Sequence, residues 1–377
     1  MRVSELIAAA ALVLVACGPA PSVEKPARDR IFVSQAGSST VAVVDGSSGT
    51  IVARIEVGLL PHNLVLSADR KSLFVAVVGS QSVAEIDVDT ARLRRTMLTA
   101  PVPDRRADGS LIQEHLDRDA FSHTTCHDCH RVGGAQPKYA GDRPFGLLLD
   151  ADGRRLLVSH LNSANLAVLE LEAGAIERSV HLARSGAAVE PVALAALDDQ
   201  LWVALRPLQP STDPGALRRL DRATLSGRGE VPTGSDPGAL LSLPGRRSVL
   251  VTNFETDTVT EHSAPGTARA VEVAPGPLGM LALPDGRVLV LGYYSNALSL
   301  VDPATGTSET FPLQRAGTRY ANPTHAALSS DGRTAWLVSS GTDGHLLQLD
   351  LASWTLVKEV PIDGLSFGIA VVPAPTP

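Results

Sequence analysis

From Ile31 onward the chain alternates short apolar runs with polar punctuation in one recurring phrase. A proline opens it, followed by an apolar run, an Asp-Gly pair or its equivalent, and a second apolar run. A small polar loop, an alternating run ending in Asp, a turn and a last run complete it. Residues 277–291 (PLGMLALPDGRVLVL) and 323–338 (PTHAALSSDGRTAWLV) are two copies, continued by Leu298–Asp302 and Leu346–Asp350. Apolar runs of this length bounded by turn residues read as β-strands, and the Asp-Gly pairs read as hairpins. Each phrase therefore predicts four short antiparallel strands.

The marker prolines stand at 61, 144, 191, 237, 277 and 323, with gaps of 83, 47, 46, 40 and 46 residues. Four strands every 40–47 residues is the period of propeller blades. The ends complete the count. Ile31-Phe32-Val33-Ser34 has the character of a second strand, and Phe367–Val372 is a lone first strand. Paired, they make one further blade and leave no open sheet edge. The expected fold is all-β, a seven-bladed β-propeller of four-stranded blades over residues 31–372, closed by its terminal strands. Val251-Thr252-Asn253 and Asp302-Pro303-Ala304-Thr305-Gly306 resemble the YVTN type of propeller repeat. That resemblance implies the fold and is nearly silent on activity, because propellers carry many unrelated functions.

Composition refines this in three places. Gly and Pro together number 58 and are spread along the chain, as many tight turns require. A formal net charge of −7 argues against a nucleic-acid partner. At the N-terminus Arg2 precedes the apolar run Leu6–Val15, which is too short to span a bilayer and suits a signal peptide. The run ends Leu14-Val15-Ala16-Cys17, similar to the bacterial lipobox. The resemblance implies cleavage after residue 16, lipidation of Cys17 and, with Gly18 next, an outer-membrane anchor on the periplasmic or surface face. An ordinary cleaved signal ending near a cysteine is the alternative. Residues 17–30, rich in Pro, Ala and charge, read as a tether.

The first gap between marker prolines is about 40 residues too long, and the surplus is residues 99–143, an insertion between blades two and three. It contains Cys126-His127-Asp128-Cys129-His130, and with Cys17 these two cysteines exhaust the chain's supply. The segment resembles the c-type haem attachment motif. The resemblance implies thioether bonds from Cys126 and Cys129 to haem vinyl groups and His130 as proximal iron ligand. Two other readings stay open. Zinc or copper could bind Cys126 and Cys129 with His123, His127 or His130, or the two cysteines could form a disulfide. For a sixth iron ligand, His123 or His115, or an open iron, is preferred over Met97 and Met280.

Loops that enter a blade and loops between its second and third strands lie on one face of a propeller. His62, His325 and the insertion are of the first kind, while His160 and Tyr293-Tyr294 are of the second. His62, His160 and His325 are thus expected on the face that bears the insertion, as metal or ligand candidates or merely as structural side chains. No triad order, paired-carboxylate motif or phosphate loop stands out. The expected role is electron transfer by a lipid-anchored propeller carrying one haem c, with a redox protein as partner. A binding or scaffold propeller with a structural metal site or disulfide is the alternative, and an oxidoreductase using the top-face His and Tyr residues is a third reading.

Overall fold

The computed structural model describes residues 29–99, 143–161, 163–182, 189–207, 214–263, 267–315 and 318–373. They form seven four-stranded antiparallel sheets and one two-stranded hairpin, Gln314–Arg315 with Thr318–Arg319. Each innermost strand touches the innermost strands of both neighbouring sheets, so the sheets close into a ring. Blades are numbered from the one holding both chain ends, and strands are lettered a to d from the axis outward. Blade 1 is Ser366–Pro373, Asp29–Gln35, Thr40–Asp45 and Thr50–Glu56. Blade 2 is Pro61–Leu66, Ser72–Val77, Ser82–Asp87 and Arg92–Leu98; blade 3 is Pro144–Leu149, Arg155–His160, Asn165–Glu170 and Ala175–His181. Strands a of blades 4 to 7 are Val189–Leu197, Pro237–Leu243, Pro277–Ala282 and Pro323–Leu328. The chain is therefore a seven-bladed propeller, with every marker proline in a strand a. Among the described residues no helix is long and apolar enough to cross a membrane.

Closure follows the terminal pairing. Strand b of blade 1 runs antiparallel to the C-terminal strand, with Ile31 opposite Val371 and Val33 opposite Ile369. That strand starts at Asp29, two residues before the repeat becomes visible in the sequence. The Asp29 carboxylate accepts a hydrogen bond from the Ser330 backbone N–H of blade 7 at 3.2 Å, tying the closing blade to its neighbour.

Strands b are apolar on both sides because both sides are covered. Ile31 and Val33 pack against Trp336 and Val338 of blade 7, while Phe32 faces Leu73 and Val75 of blade 2. One such cluster fills each of the seven interfaces between blades. Full burial of one of these side chains stabilises the fold by about 1.5–3 kcal/mol.

The turns explain the recurring Asp residues. Between strands a and b, the Asp285 and Asp331 carboxylates each accept a backbone N–H, from Arg287 and Arg333, at 3.0 Å. Gly332, at φ +68°, takes the left-handed position that such a turn requires. Between strands c and d, Asp350 accepts the Ser353 N–H at 2.7 Å, and these backbone bonds hold its carboxyl below the usual range.

One feature of the ring prepares the site. Strand a slips register against strand b just past its start in every blade, as between Pro61 and Leu64 in blade 2 and Pro323 and Ala326 in blade 7. The same slip occurs in the other five blades. Such bulges bend the strand and re-aim its side chains. They also press adjacent inner strands together: a Cβ on Gly279 would overlap the Thr324 carbonyl oxygen, and one on Gly368 that of His62. Ser34 fastens this seam, accepting the Gly368 N–H at 2.8 Å and donating to the His62 carbonyl at 2.6 Å.

Candidate functional site

The bulged ends of the inner strands form the mouth of the axial channel. His62 lies in the blade 2 bulge and is buried. Its ring stacks on Phe367 of blade 1 at 4.1 Å and 15°, and tilts against Phe145 of blade 3 at 4.6 Å. His325, in the blade 7 bulge, stands edge-on to it with ring centroids 6.3 Å apart. Asn63 donates to the Phe145 carbonyl at 2.9 Å, locking the blade 2 bulge to blade 3.

Burial governs both imidazoles. It drives the His62 pKa well below the ordinary 6.5; protonation of His325 and the charges of Arg143 and Arg206 act the same way. Burial lowers His325 to about 4, against a small opposing effect of a hydrogen bond with the Phe367 backbone. Both rings are neutral at neutral pH, so each keeps a lone pair for a hydrogen bond or a metal.

Across the mouth lies a charged cluster that sequence reasoning missed. Arg206, at the end of strand b in blade 4 (Gln200–Pro207), donates twice to Glu190 Oε2, at 3.0 and 2.5 Å. Its Nε is 3.5 Å from Asp236 Oδ1, and the three side chains are 10% exposed or less. A weak signal was available: Glu190 and Asp236 each directly precede a marker proline. Asp236 also holds φ +53°, as do Leu60 and Asn322 (+55°) at the equivalent place. Left-handed backbone at non-glycine residues costs of order 1 kcal/mol, and outliers of this kind concentrate at functional sites.

Between the imidazoles and the charged cluster lies a cavity of about 220 Å³, with His62, His325, Arg206 and Asp236 among its lining residues. Above it, Phe254, Tyr293 and Phe367 cluster around Ala36, and the half-exposed Tyr294 rests on Phe254 at 4.7 Å.

The three histidines expected on this face are on it, but they are not together. His62 and His325 share the channel mouth. His160 is buried in the crevice between blades 2 and 3, beside Thr99 and Asn165. Among the described residues, no three His, Cys, Asp or Glu side chains are grouped so as to hold a metal. Met97 is buried in the blade 2–blade 3 interface against Phe74 and Leu156. Met280 is half-buried on the channel wall. Cys17, His115, His123, Cys126, Cys129 and His130 lie outside the described residues.

Both ends of the insertion are fixed in the propeller. Thr99 is buried and donates its backbone N–H to the Gln81 carbonyl at 3.0 Å. Arg143 is buried, and its carbonyl accepts the Leu161 N–H at 3.0 Å. Phe145, two residues further on, is the ring that contacts His62. The segment with the CxxCH motif thus returns to the propeller beside the channel mouth.

Comparison with known proteins agrees with the architecture. A family model described as YNCE-like beta-propeller matches residues 2–109. No curated protein matches the chain. Among solved structures, the Kuenenia stuttgartiensis hydrazine synthase superposes with a TM-score of 0.61 at 13% identity, covering 88% of this chain and 92% of that one. The dihydro-heme d1 dehydrogenase NirN in complex with DHE gives 0.56 at 14% identity, over 90% and 74%. Apo AztD from Citrobacter koseri gives 0.56 at 13%, over 92% and 98%. At these identities the likeness establishes the propeller fold and nothing finer.

Proposed function

We propose that the chain is an exported lipoprotein, anchored through Cys17 to the outer membrane, that carries one haem c on a propeller scaffold and serves periplasmic or surface electron transfer. Cys126 and Cys129 would hold the haem covalently, and His130 would be its proximal ligand. The observation that carries this reading is the rooting of residues 100–142. The segment containing the motif leaves from Thr99 and returns at Arg143, beside the His62 mouth, and His130 is thirteen residues from Arg143 along the chain. A reach of at most about 45 Å lets the motif lie over that face.

The described residues bear on where such a group fits. The channel cavity, at about 220 Å³, is below the roughly 300–1,000 Å³ of sites for drug-sized molecules. A haem macrocycle therefore belongs outside the mouth and not within it. Bound there, the haem supplies a one-electron centre. The propeller residues would shield one side from water, with Tyr294 presenting aromatic surface and His62 and His325 staying uncharged. Met97 is packed in an interface and would have to leave it to reach iron, which supports His123 or His115 as the sixth ligand over Met97. The dihydro-heme d1 dehydrogenase NirN, which shares the fold, is compatible with a propeller in haem-related chemistry.

The test is expression in a host with a cytochrome c maturation system. Membrane-bound, haem-staining protein is expected from the wild type. Cys126→Ala with Cys129→Ala should abolish covalent haem, and Cys17→Ala should release the protein from membranes with its haem. Colourless wild-type protein containing zinc would replace this reading with a scaffold propeller bearing a structural metal site.

A further inference from the structure

The cavity at the channel mouth has a composition that selects a ligand. Its walls are mixed: Leu64, Leu194 and Met280 on inner strands and the Phe145 and Phe254 rings give the apolar part. Aromatic faces attract cations, the more so when desolvated. The charged lining residues are Arg206 and Asp236. Glu190 sits outside the lining and takes the Nε and Nη2 hydrogen bonds of Arg206 on a single oxygen, neutralising the guanidinium from behind. Two carboxylates thus flank one guanidinium, Asp236 in the lining and Glu190 outside it. The remaining polar lining, His62, His325 and Asn63, adds no positive charge at neutral pH. Arg143, the other cation whose charge reaches His62, is not part of the lining.

We propose that the channel mouth binds a small organic ammonium compound, its charged nitrogen on the Asp236 side beside Phe254 and its apolar body against the Leu64, Leu194 and Met280 walls. The volume sets the size. About 220 Å³ is the share of about seven liquid waters at about 30 Å³ each, which accommodates a ligand of about seven to ten non-hydrogen atoms. Metal cations are a poorer match, since no triad of His and carboxylate ligands converges among the described residues. The site stands on the propeller alone and does not require the haem.

Three probes of nearly equal shape separate charge from shape: benzylammonium, benzyl alcohol and benzoate, titrated into the full-length wild-type chain by calorimetry. Benzylammonium should bind at least about tenfold more tightly than benzyl alcohol, the ratio that one desolvated cation–aromatic contact supplies, and benzoate should bind weakest. Asp236→Asn should weaken benzylammonium binding and narrow its preference over benzyl alcohol, while leaving benzyl alcohol itself unchanged. Should that variant fail to fold, imidazole NMR of the wild type replaces it: benzylammonium must shift the His62 and His325 resonances, and a Leu194→Phe variant that fills the cavity must abolish the shift. Preference for benzoate, equal affinity for all three, no binding of any probe, or ammonium binding unaffected by both variants would each overturn the assignment.

Discussion

Acid should destabilise this propeller through its buried histidines, and His325 gives the effect its best-defined pH window. The folded state holds its pKa at about 4, because burial disfavours the charged imidazole, whereas an unfolded chain returns it to about 6.5. Between those values the unfolded state binds more protons than the folded one, so stability is complete above about pH 6.5 and falls as pH drops towards about 4. The displacement corresponds to about 3 kcal/mol across the window. That is an upper bound, since an edge of the ring faces the cavity and water there screens part of the charge. His62 and His262 are shifted in the same direction by burial and add to the effect. The turn carboxylates act elsewhere: Asp87 is held at about 2 by the Thr90 backbone N–H and by Arg94, so its contribution is lost only at lower pH. The perturbation is His325→Phe, which keeps a ring and removes the titration. Urea unfolding at about pH 7 and about pH 4.5 should show wild type losing up to about 2.5 kcal/mol more than the variant between the two. Identical pH dependence in the two proteins would refute the burial argument.

Three further outcomes follow from the architecture. Ser34→Ala leaves the Gly368 N–H and the His62 carbonyl without their buried partner and should cost about 2–4 kcal/mol in urea unfolding, whereas loss of a few tenths would mean the seam does not depend on that hydroxyl. Deleting Ser366–Pro373 removes the strand that closes blade 1 and should yield aggregating protein without a cooperative melt; a soluble, normally melting product would contradict closure by this strand. Replacing residues 100–142 with a short Gly/Ser linker, with Thr99 and Arg143 retained, should leave a cooperatively melting β protein, and global unfolding would make the segment part of the core.

The blades were legible because each repeats the same local demands. Asp331-Gly332 needs a left-handed residue and a carboxylate acceptor within one turn, and strands b need apolar residues on both faces, so period and composition coincide. The charged cluster was not legible. Glu190 and Arg206 face each other across the first hairpin of blade 4 and resemble ordinary strand-end charges; the curvature of the ring brings Asp236, at the entry to blade 5, against them. The histidines divide for a related reason. Position along a strand specifies the face of a propeller but not the distance from its axis. His62 and His325 sit in inner-strand bulges at the channel, whereas His160 ends a second strand and turns into the crevice between blades. The CxxCH motif lies outside the described residues, and the structure adds where its segment is rooted.

Covalent haem at Cys126 and Cys129 is the central claim, and intact-mass spectrometry combined with the visible spectrum of denatured protein tests it most directly. Protein from a host competent in cytochrome c maturation should carry the mass of one haem and keep its haem absorption after denaturation, with both signals lost in the double Cys126→Ala, Cys129→Ala variant. Wild-type protein at the apo mass without a haem spectrum, or haem that persists covalently in the double variant, would contradict the account.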